Sequence, residues 1–397
     1  MKKKIFGGII LVALISATVT LGLVCLLLGL NSSNALDLGR FFVAMRFIEL
    51  NYVQEVERRQ LIDGAINGMV NSLGDPHSVY LAPQLYNQLR AETSGAFGGI
   101  GVYMSFKNGG VQVMNVIPDG PGQRAGLQAG DEILAVDGKP VEEISPSEVA
   151  LKIRGEIGTQ VELLIRREGS ENMIYNLTRE NIKLKTVAGK MIDDRLGYIR
   201  ISNFSENTGD EFKTVLNGLE AQSMKGFILD LRQNPGGVIN SCIEIAQEIV
   251  PAGTISSVIK RDGSKEVYTS DLAAAKFPII VLIDNNSASA AELLSGALQD
   301  TKAALVVGER SYGKGSVQTL IPMAHNDGLK LTIAKYYTPS GKCIDGVGIT
   351  PDVEIKSSAT VHPMYNLNLD AEDDLPLTKA EELLRTQVDE GKILFSD

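Results

Sequence analysis

Histidine, cysteine and tryptophan are scarce in this chain. Its 397 residues include three histidines, three cysteines and no tryptophan. None of the histidines lies in a recognisable Ser-His-Asp setting, and no group of Cys and His has the spacing of a metal site. The cysteines are too few for a disulfide scaffold; Cys242 and Cys343 could pair in an oxidising compartment or stay free thiols. We therefore expect no metal and no cofactor.

Basic residues are also in the minority. Lys and Arg number 38 against 48 Asp and Glu, a formal net charge of -10. Nucleic acid binding needs a basic face, so this balance argues against a nucleic acid partner. The hydrophobic fraction of 44% is that of a folded protein. The length predicts two or three domains.

A long uncharged run lies close to the N-terminus. Residues Ile5 to Leu30 hold no charged side chain, and Lys2, Lys3 and Lys4 precede them. At about 1.5 Å per residue, such a helix can cross a hydrocarbon core of about 30 Å with some tilt. The lysines favour a cytoplasmic N-terminus. We predict a single-pass anchor over residues 1–34. The alternative is a cleaved signal peptide, but the run exceeds the usual apolar core and residues 31–35 make a poor cleavage site.

The residues after 34 divide into four ranges with different sequence patterns. Residues 35–95 show helical periodicity. Residues 96–182 consist of short alternating strands between glycine turns. Residues 183–357 alternate strands with helices, which predicts an α/β core, and 358–397 form an acidic tail with a helix at Thr378 to Leu384. We take these ranges as the domains.

The segment after the strand Ile279 to Ile283 holds two candidate nucleophiles. Ser287 and Ser289 stand among small residues where a helix begins, and free N–H groups there can stabilise developing negative charge. A serine at this place can also be a simple helix cap. Lys314 follows Ser289 by 25 residues, between Gly313 and Gly315. A lysine can act as a base only if its pKa falls by about three units, at a cost of about 4 kcal/mol; otherwise it is a solvated loop residue.

The same lysine ends a near match to a phosphate-binding loop. Residues 308–314 read G-x-x-x-x-G-K, yet Gly315 replaces the magnesium-binding hydroxyl. A strand-like stretch, Ser316 to Ile321, follows where a helix is required. This pattern therefore gives little support for a nucleotide site.

A third segment, Asp230 to Val238, ends a strand in a Pro-Gly-Gly turn that leads into a helix. The amides of Gly236 and Gly237 could donate to an oxyanion. In isolation this is equally well an ordinary strand-to-helix turn.

Taken together, these motifs resemble those of the carboxyl-terminal processing peptidases, Ser–Lys proteases of the bacterial envelope and plastid lumen with an embedded PDZ domain. The resemblance runs from about Phe42 to Ile355. It rests on five ordered motifs, at 231–237, 287–300, 306–318, 336–341 and 348–352. It implies a fold of an α/β protease core with an embedded mainly-β PDZ domain, a helical N-terminal region and a transmembrane helix.

The resemblance also implies roles for single residues. It places the nucleophile at Ser289, the base at Lys314 and a lysine-orienting amide at Gln318, which lies four residues beyond Lys314 and, in a strand, on the same face. The oxyanion donors would be the amide of Ala290 and one of Gly236 and Gly237. The carboxylate-binding loop of the PDZ domain would be Phe97, Gly98, Gly99, Ile100 and Gly101.

The implied protein is a membrane-anchored endopeptidase whose catalytic part is extracytoplasmic. Its partners would be protein or peptide substrates with accessible C-termini, the membrane, and a second copy of the chain in a homodimer. The rival hypothesis is a non-catalytic PDZ scaffold or pseudoprotease.

Overall fold

The structure is a computed structural model that describes residues 32–107, 110–356 and 374–391, together with Ser16. The described residues divide after Tyr80 into two compact units. The first unit holds two helices, α1 (Ser32–Asn51) and α2 (Arg58–Asn71). Helix α1 exposes Phe41, Phe42, Val43 and Phe47 to solvent.

The predicted membrane anchor, residues 1–34, lies almost entirely outside the described residues. Within the described part of the chain, none of the helices has both the length and the apolar character that a bilayer crossing requires.

A six-stranded sheet forms the centre of the second unit. In spatial order it contains β10 (Val187–Met191), β11 (Leu196–Ile201), β12 (Gly226–Asp230), β15 (Ile279–Ile283), β16 (Ala304–Gly308) and β19 (Val353–Glu354). Within this sheet β11, β12, β15, β16 and β19 run parallel, and β10 is antiparallel to β11. The uninterrupted apolar stretch of β15 is the pattern expected of a parallel strand buried on both faces. The predicted α/β core is confirmed.

Helices cover both faces of this sheet. On one face lie α6 (Thr208–Glu220), α7 (Ile239–Ile249) and α8 (Ala290–Asp300). The other face is covered by α9 (Leu375–Glu390), whose Leu377, Ala380 and Leu384 pack against it. The tail helix predicted at Thr378 to Leu384 is therefore real and longer than expected.

A second sheet of the core was not predicted. Four of its five strands are β13 (Gly253–Lys260), β14 (Lys265–Ser270), β17 (Ser316–Pro322) and β18 (Gly328–Tyr337). Strand β18 lies between β13 and β17, and all these pairs are antiparallel. Because β17 begins two residues after Lys314, the helix that a phosphate-binding loop requires is absent at this point of the described chain.

The mainly-β region begins after β1 (Val79–Leu81) and α3 (Pro83–Ser94). Strand β2 (Ala96–Gly99) pairs with β9 (Glu180–Lys183). Between them lie β3 (Val102–Lys107), β4 (Gly110–Val116), α4 (Pro121–Ala125), β5 (Glu132–Val136), β6 (Lys139–Pro140), α5 (Pro146–Ile153), β7 (Gln160–Arg166) and β8 (Met173–Thr178). Strands β3, β4, β5, β7 and β8 form one antiparallel sheet around a core of their own.

Both described cysteines are free thiols, so the pairing left open by the sequence does not occur. Cys242 is fully buried, and its Sγ donates to the carbonyl of Ala290 at 3.2 Å. Burial raises the pKa of this thiol far above its usual range, so Cys242 is a packing residue.

Candidate active site

Three adjacent parallel strands each end in one of the motifs singled out from the sequence. The Pro-Gly-Gly turn follows β12, Ser289 follows β15, and the lysine loop follows β16. The carboxyl ends of parallel strands meet at one edge of a sheet, where α/β proteins commonly place their sites. The topology therefore brings these distant segments together.

Ser289 occupies a strained turn between β15 and α8. Its backbone has φ 56° and ψ -115°, a conformation that residues other than glycine rarely adopt. Its side chain is at the N-terminus of α8, and the residue is 8% exposed. Strain of this kind persists only when surrounding contacts hold it, and it is concentrated at functional sites. The strand–turn–helix setting is that of a nucleophile elbow.

The hydroxyl of Ser287, the competing candidate nucleophile, is engaged in buried hydrogen bonds within the protein. Its hydroxyl donates to the Leu231 carbonyl at 2.9 Å and accepts from the Asp284 amide at 2.9 Å. The residue has no exposed surface. These contacts leave Ser289 as the better candidate of the two serines, the one that the family resemblance also implies.

Glu292 joins the serine turn to the lysine loop. Its buried carboxylate accepts from the amides of Ser289 at 2.8 Å, Gly313 at 2.7 Å and Lys314 at 2.8 Å. It also accepts from the Ser311 hydroxyl at 2.5 Å. One side chain therefore fixes the backbone of both proposed dyad residues. Sequence reasoning missed it, although Ser-x-x-Glu at a helix start is a recognised capping pattern.

Tyr336 lies on the other side of the lysine loop. It is 1% exposed, donates to the Lys314 carbonyl and has the Ser289 hydroxyl as a hydrogen-bonding neighbour. Burial, and secondarily the charge of Glu292, raise the pKa of Tyr336 well above its usual value. The phenol is therefore a neutral donor, which sequence reasoning also did not single out.

The Pro-Gly-Gly turn touches the serine directly. Gly236 has φ 92°, and a Cβ built on it would be 2.6 Å from the Ser289 Cβ and 2.9 Å from the Ala290 amide nitrogen. The Gly236 amide donates to the Asn234 Oδ1 at 2.8 Å. Because the Gly236 N–H is already engaged in this bond, the amides of Gly237 and Ala290 are the better candidates to donate to an oxyanion.

Gln318 lies four residues beyond Lys314, and the structure differs from the shared strand face that was predicted for these two side chains. Lys314 precedes β17, and a bulge interrupts the strand between Val317 and Gln318. The simple argument that both side chains share a strand face therefore does not apply. The Gln318 amide nitrogen donates to the hydroxyls of Ser316 at 2.9 Å and Thr332 at 3.1 Å.

The predicted carboxylate-binding segment is only partly a loop. Phe97, Gly98 and Gly99 belong to β2, which pairs with β9, and Ile100 and Gly101 follow it. At Gly98 a Cβ would lie 2.0 Å from the Gly155 carbonyl, so a side chain has no room there. The Arg154 guanidinium lies 4.4 Å from the centroid of the Phe97 ring.

Comparison with known families agrees with this architecture. The peptidase family S41 matches residues 195–355, a PDZ domain matches 112–167, and the N-terminal domain of the activating protease CtpB matches 30–84. These ranges correspond to the α/β core, the mainly-β region and the N-terminal helices.

Curated relatives and solved structures extend the likeness over most of the chain. The carboxy-terminal-processing protease of Bartonella bacilliformis is 38% identical over 81% of this chain and 75% of its own. CtpA of Bacillus subtilis is 34% identical over 88% and 77%. A solved S41-type protease from Bacteroides fragilis has a TM-score of 0.51 and 16% identity over 86% of this chain and 91% of its own, which shows the fold alone. The chain belongs to peptidase family S41, among the carboxy-terminal processing proteases, and is a serine-type peptidase with a PDZ domain.

Proposed function

We propose that this peptidase cleaves proteins near their C-termini through a Ser289–Lys314 dyad and an acyl-enzyme. The observation that carries the proposal is the strained backbone of Ser289 at the N-terminus of α8. The shared Glu292 carboxylate supports Lys314 as its partner, because it binds the amides of both residues.

In this mechanism the Lys314 amine takes the proton of the Ser289 hydroxyl as Oγ attacks the scissile carbonyl. The oxygen of the tetrahedral intermediate receives hydrogen bonds from the amides of Ala290 and Gly237. Collapse breaks the C–N bond, and the lysine returns its proton to the leaving amine. Water then attacks the acyl-enzyme by the same route, which releases the acid and restores the serine. Gln318 is proposed to orient Lys314.

Substrate capture is assigned to the PDZ domain. A free C-terminal carboxylate would accept from amides of the Phe97 to Gly101 segment, and the tail would add as a strand. The PDZ match supports this role. Substrates would be proteins or peptides whose C-termini are accessible.

Our proposals on location and assembly rest on the N-terminal region. We propose a single-pass protein with a cytoplasmic N-terminus and an extracytoplasmic catalytic part, supported by the apolar run and preceding lysines. We also propose a homodimer through the first unit. Its support is the cluster of exposed apolar side chains on α1, since patches of this kind mark interaction sites.

The decisive test compares Ser289→Ala with Ser287→Ala in the full chain in detergent, on one unstructured peptide with a free apolar C-terminus. Ser289→Ala should abolish cleavage and keep the thermal midpoint within a few degrees. Ser287→Ala should lower stability, because it removes buried hydrogen bonds, yet still cleave. Cleavage by Ser289→Ala at the wild-type rate would refute the assignment. A wild-type chain that binds peptides but cleaves none would favour the scaffold hypothesis.

A further inference from the structure

The C-terminal helix α9 reaches the strand that leads into the Pro-Gly-Gly turn. Asp374 is the N-cap of α9, and its Oδ1 accepts from the Leu377 amide at 3.2 Å. The same oxygen accepts from the Arg232 Nη1 at 2.7 Å. The side chains of Arg232 and Asp374 are 3% and 7% exposed. Asp374 is therefore ion-paired, out of solvent, with an arginine that lies three positions before Pro235.

Two buried arginines share the carboxylates at this place. Arg232 also contacts Asp230, with Nη2 2.7 Å from Oδ2, and the Arg200 Nη1 lies 3.6 Å from the same oxygen. Asp230 is fully buried and accepts from the Tyr198 hydroxyl at 2.6 Å. Without the charge of Asp374, two arginines would face one carboxylate. Breaking a buried pair by removing one partner is strongly unfavourable, so the Arg232 side chain would have to move.

Hydrogen bonds of the next two residues connect Arg232 to the segment that carries Ser289. The next residue, Gln233, has φ 60°, and its amide donates to Asp284 Oδ1 at 3.0 Å. Asn234 then accepts from the Gly236 amide with its side chain and from the Ala288 amide with its carbonyl, at 2.8 and 2.9 Å. A shift of Arg232 would therefore displace both segments of the proposed oxyanion hole, the Pro-Gly-Gly turn and the turn that carries Ser289.

The docking of α9 is not optimal. Its apolar residues pack on the sheet, yet the buried amide of Gln387 has neither its nitrogen nor its oxygen hydrogen-bonded within the described structure. An unsatisfied buried polar group disfavours the packed state. The ion pair at Asp374 is thus a specific attachment at one end of a helix that packs imperfectly at the other.

We propose that docked α9 holds the Pro235 to Gly237 turn in its catalytic position through the Asp374–Arg232 pair, so that Asp374 is a positioning residue. This inference rests on the oxyanion role given to the turn under the proposed function. It predicts that a change more than 80 residues from Ser289 in sequence acts on transition-state stabilisation and leaves substrate capture unaltered.

The test uses the full chain with Asp374→Asn and Asp374→Ser. Both residues still cap a helix, and they differ in size, but neither carries the charge. The matched control is Asp389→Asn on the same helix, which removes an exposed pair with Arg195. For each variant, kcat, KM and the thermal midpoint are measured, together with the affinity of a peptide boronate that forms a tetrahedral adduct with the serine.

Both Asp374 variants should lower kcat by about 10- to 100-fold, because a misplacement of about 1 Å costs on the order of 100-fold. KM should stay within about threefold of wild type, and boronate affinity should fall with kcat. Asp389→Asn should change kcat by less than about twofold, as exposed ion pairs contribute little. A kcat within about threefold of Asp389→Asn in either folded Asp374 variant would overturn the inference, as would a loss confined to KM or to the unfolded fraction. A wild-type chain without Ser289-dependent cleavage would instead contradict the proposed function itself.

Discussion

Gly236 is the position where a single methyl group should distinguish a catalytic turn from an ordinary one. In Gly236→Ala the new Cβ would lie 2.6 Å from the Ser289 Cβ, 2.7 Å from the Ala288 carbonyl oxygen and 2.9 Å from the Ala290 nitrogen. Ordinary contact begins at 3.4 Å, so the turn and the serine must separate by 0.8 Å at the closest approach. Two of these atoms belong to the backbone and the third, the Ser289 Cβ, is bonded to it, so no side chain can give way by rotating.

A displacement of this size has a predictable effect. Misplacing catalytic groups by about 1 Å costs on the order of 100-fold in rate, or about 2.7 kcal/mol in activation free energy. The left-handed φ of 92° adds backbone strain of about 1–3 kcal/mol to the folded state. Gly263→Ala separates the two effects, because Gly263 has φ 81° in the turn between β13 and β14 and nothing within 4 Å of its Cβ.

The assay is steady-state cleavage of one unstructured peptide, with thermal unfolding in parallel. Both variants should lose stability through the left-handed φ, and Gly236→Ala should lose more because of its close contacts. Only Gly236→Ala should lose kcat, by about 100-fold in the folded enzyme. If the two variants have kcat values within about threefold of each other, the Pro-Gly-Gly turn is not part of the catalytic site and the oxyanion assignment fails with it.

Three further predictions concern other parts of the chain. Lys314→Arg should be as inactive as Lys314→Ala, since a guanidinium cannot lose its proton near neutral pH, and the wild-type rate should rise with pH; Lys314→Arg with more than about a tenth of the wild-type rate would contradict a base. C-terminal amidation should weaken peptide binding to Ser289→Ala by roughly 10- to 150-fold, and equal affinities of acid and amide in a titration would exclude carboxylate recognition. Gln387→Met should raise the free energy of unfolding by about 1–3 kcal/mol; a lower thermal midpoint would show that the amide has a partner.

The sequence predicted the elements whose signal is local. The apolar stretch of β15 was placed correctly because five consecutive hydrophobic residues between polar ones leave little choice. The helix after Ser289 and the order of strands and helices followed from similar patterns. Helix α9 was predicted but too short, because its first turn contains Pro376 and its last turn is mainly polar.

The parts that could not be predicted depend on contacts between distant segments. Glu292 looks like a capping residue in sequence, and its second role appears only when β16 pairs with β15 and carries the lysine loop past the helix start. Tyr336 reaches the same loop from β18, in a sheet whose antiparallel pairing no single strand indicated. Gln318 shows the converse, because a bulge changes the face that strand periodicity assigned to it.

The site holds its two proposed reacting residues by their backbones. Glu292 binds the Ser289 and Lys314 amides, and Asn234 fixes the turn that faces them. A lysine base must have its amine available to the serine, so its position is better secured through its peptide group than through a salt bridge to the amine, which would favour the charged form. Backbone hydrogen bonds to buried side chains meet that requirement. Glu292 and Asn234, to which the proposed mechanism assigns no chemical step, therefore hold the backbone of residues to which it assigns one.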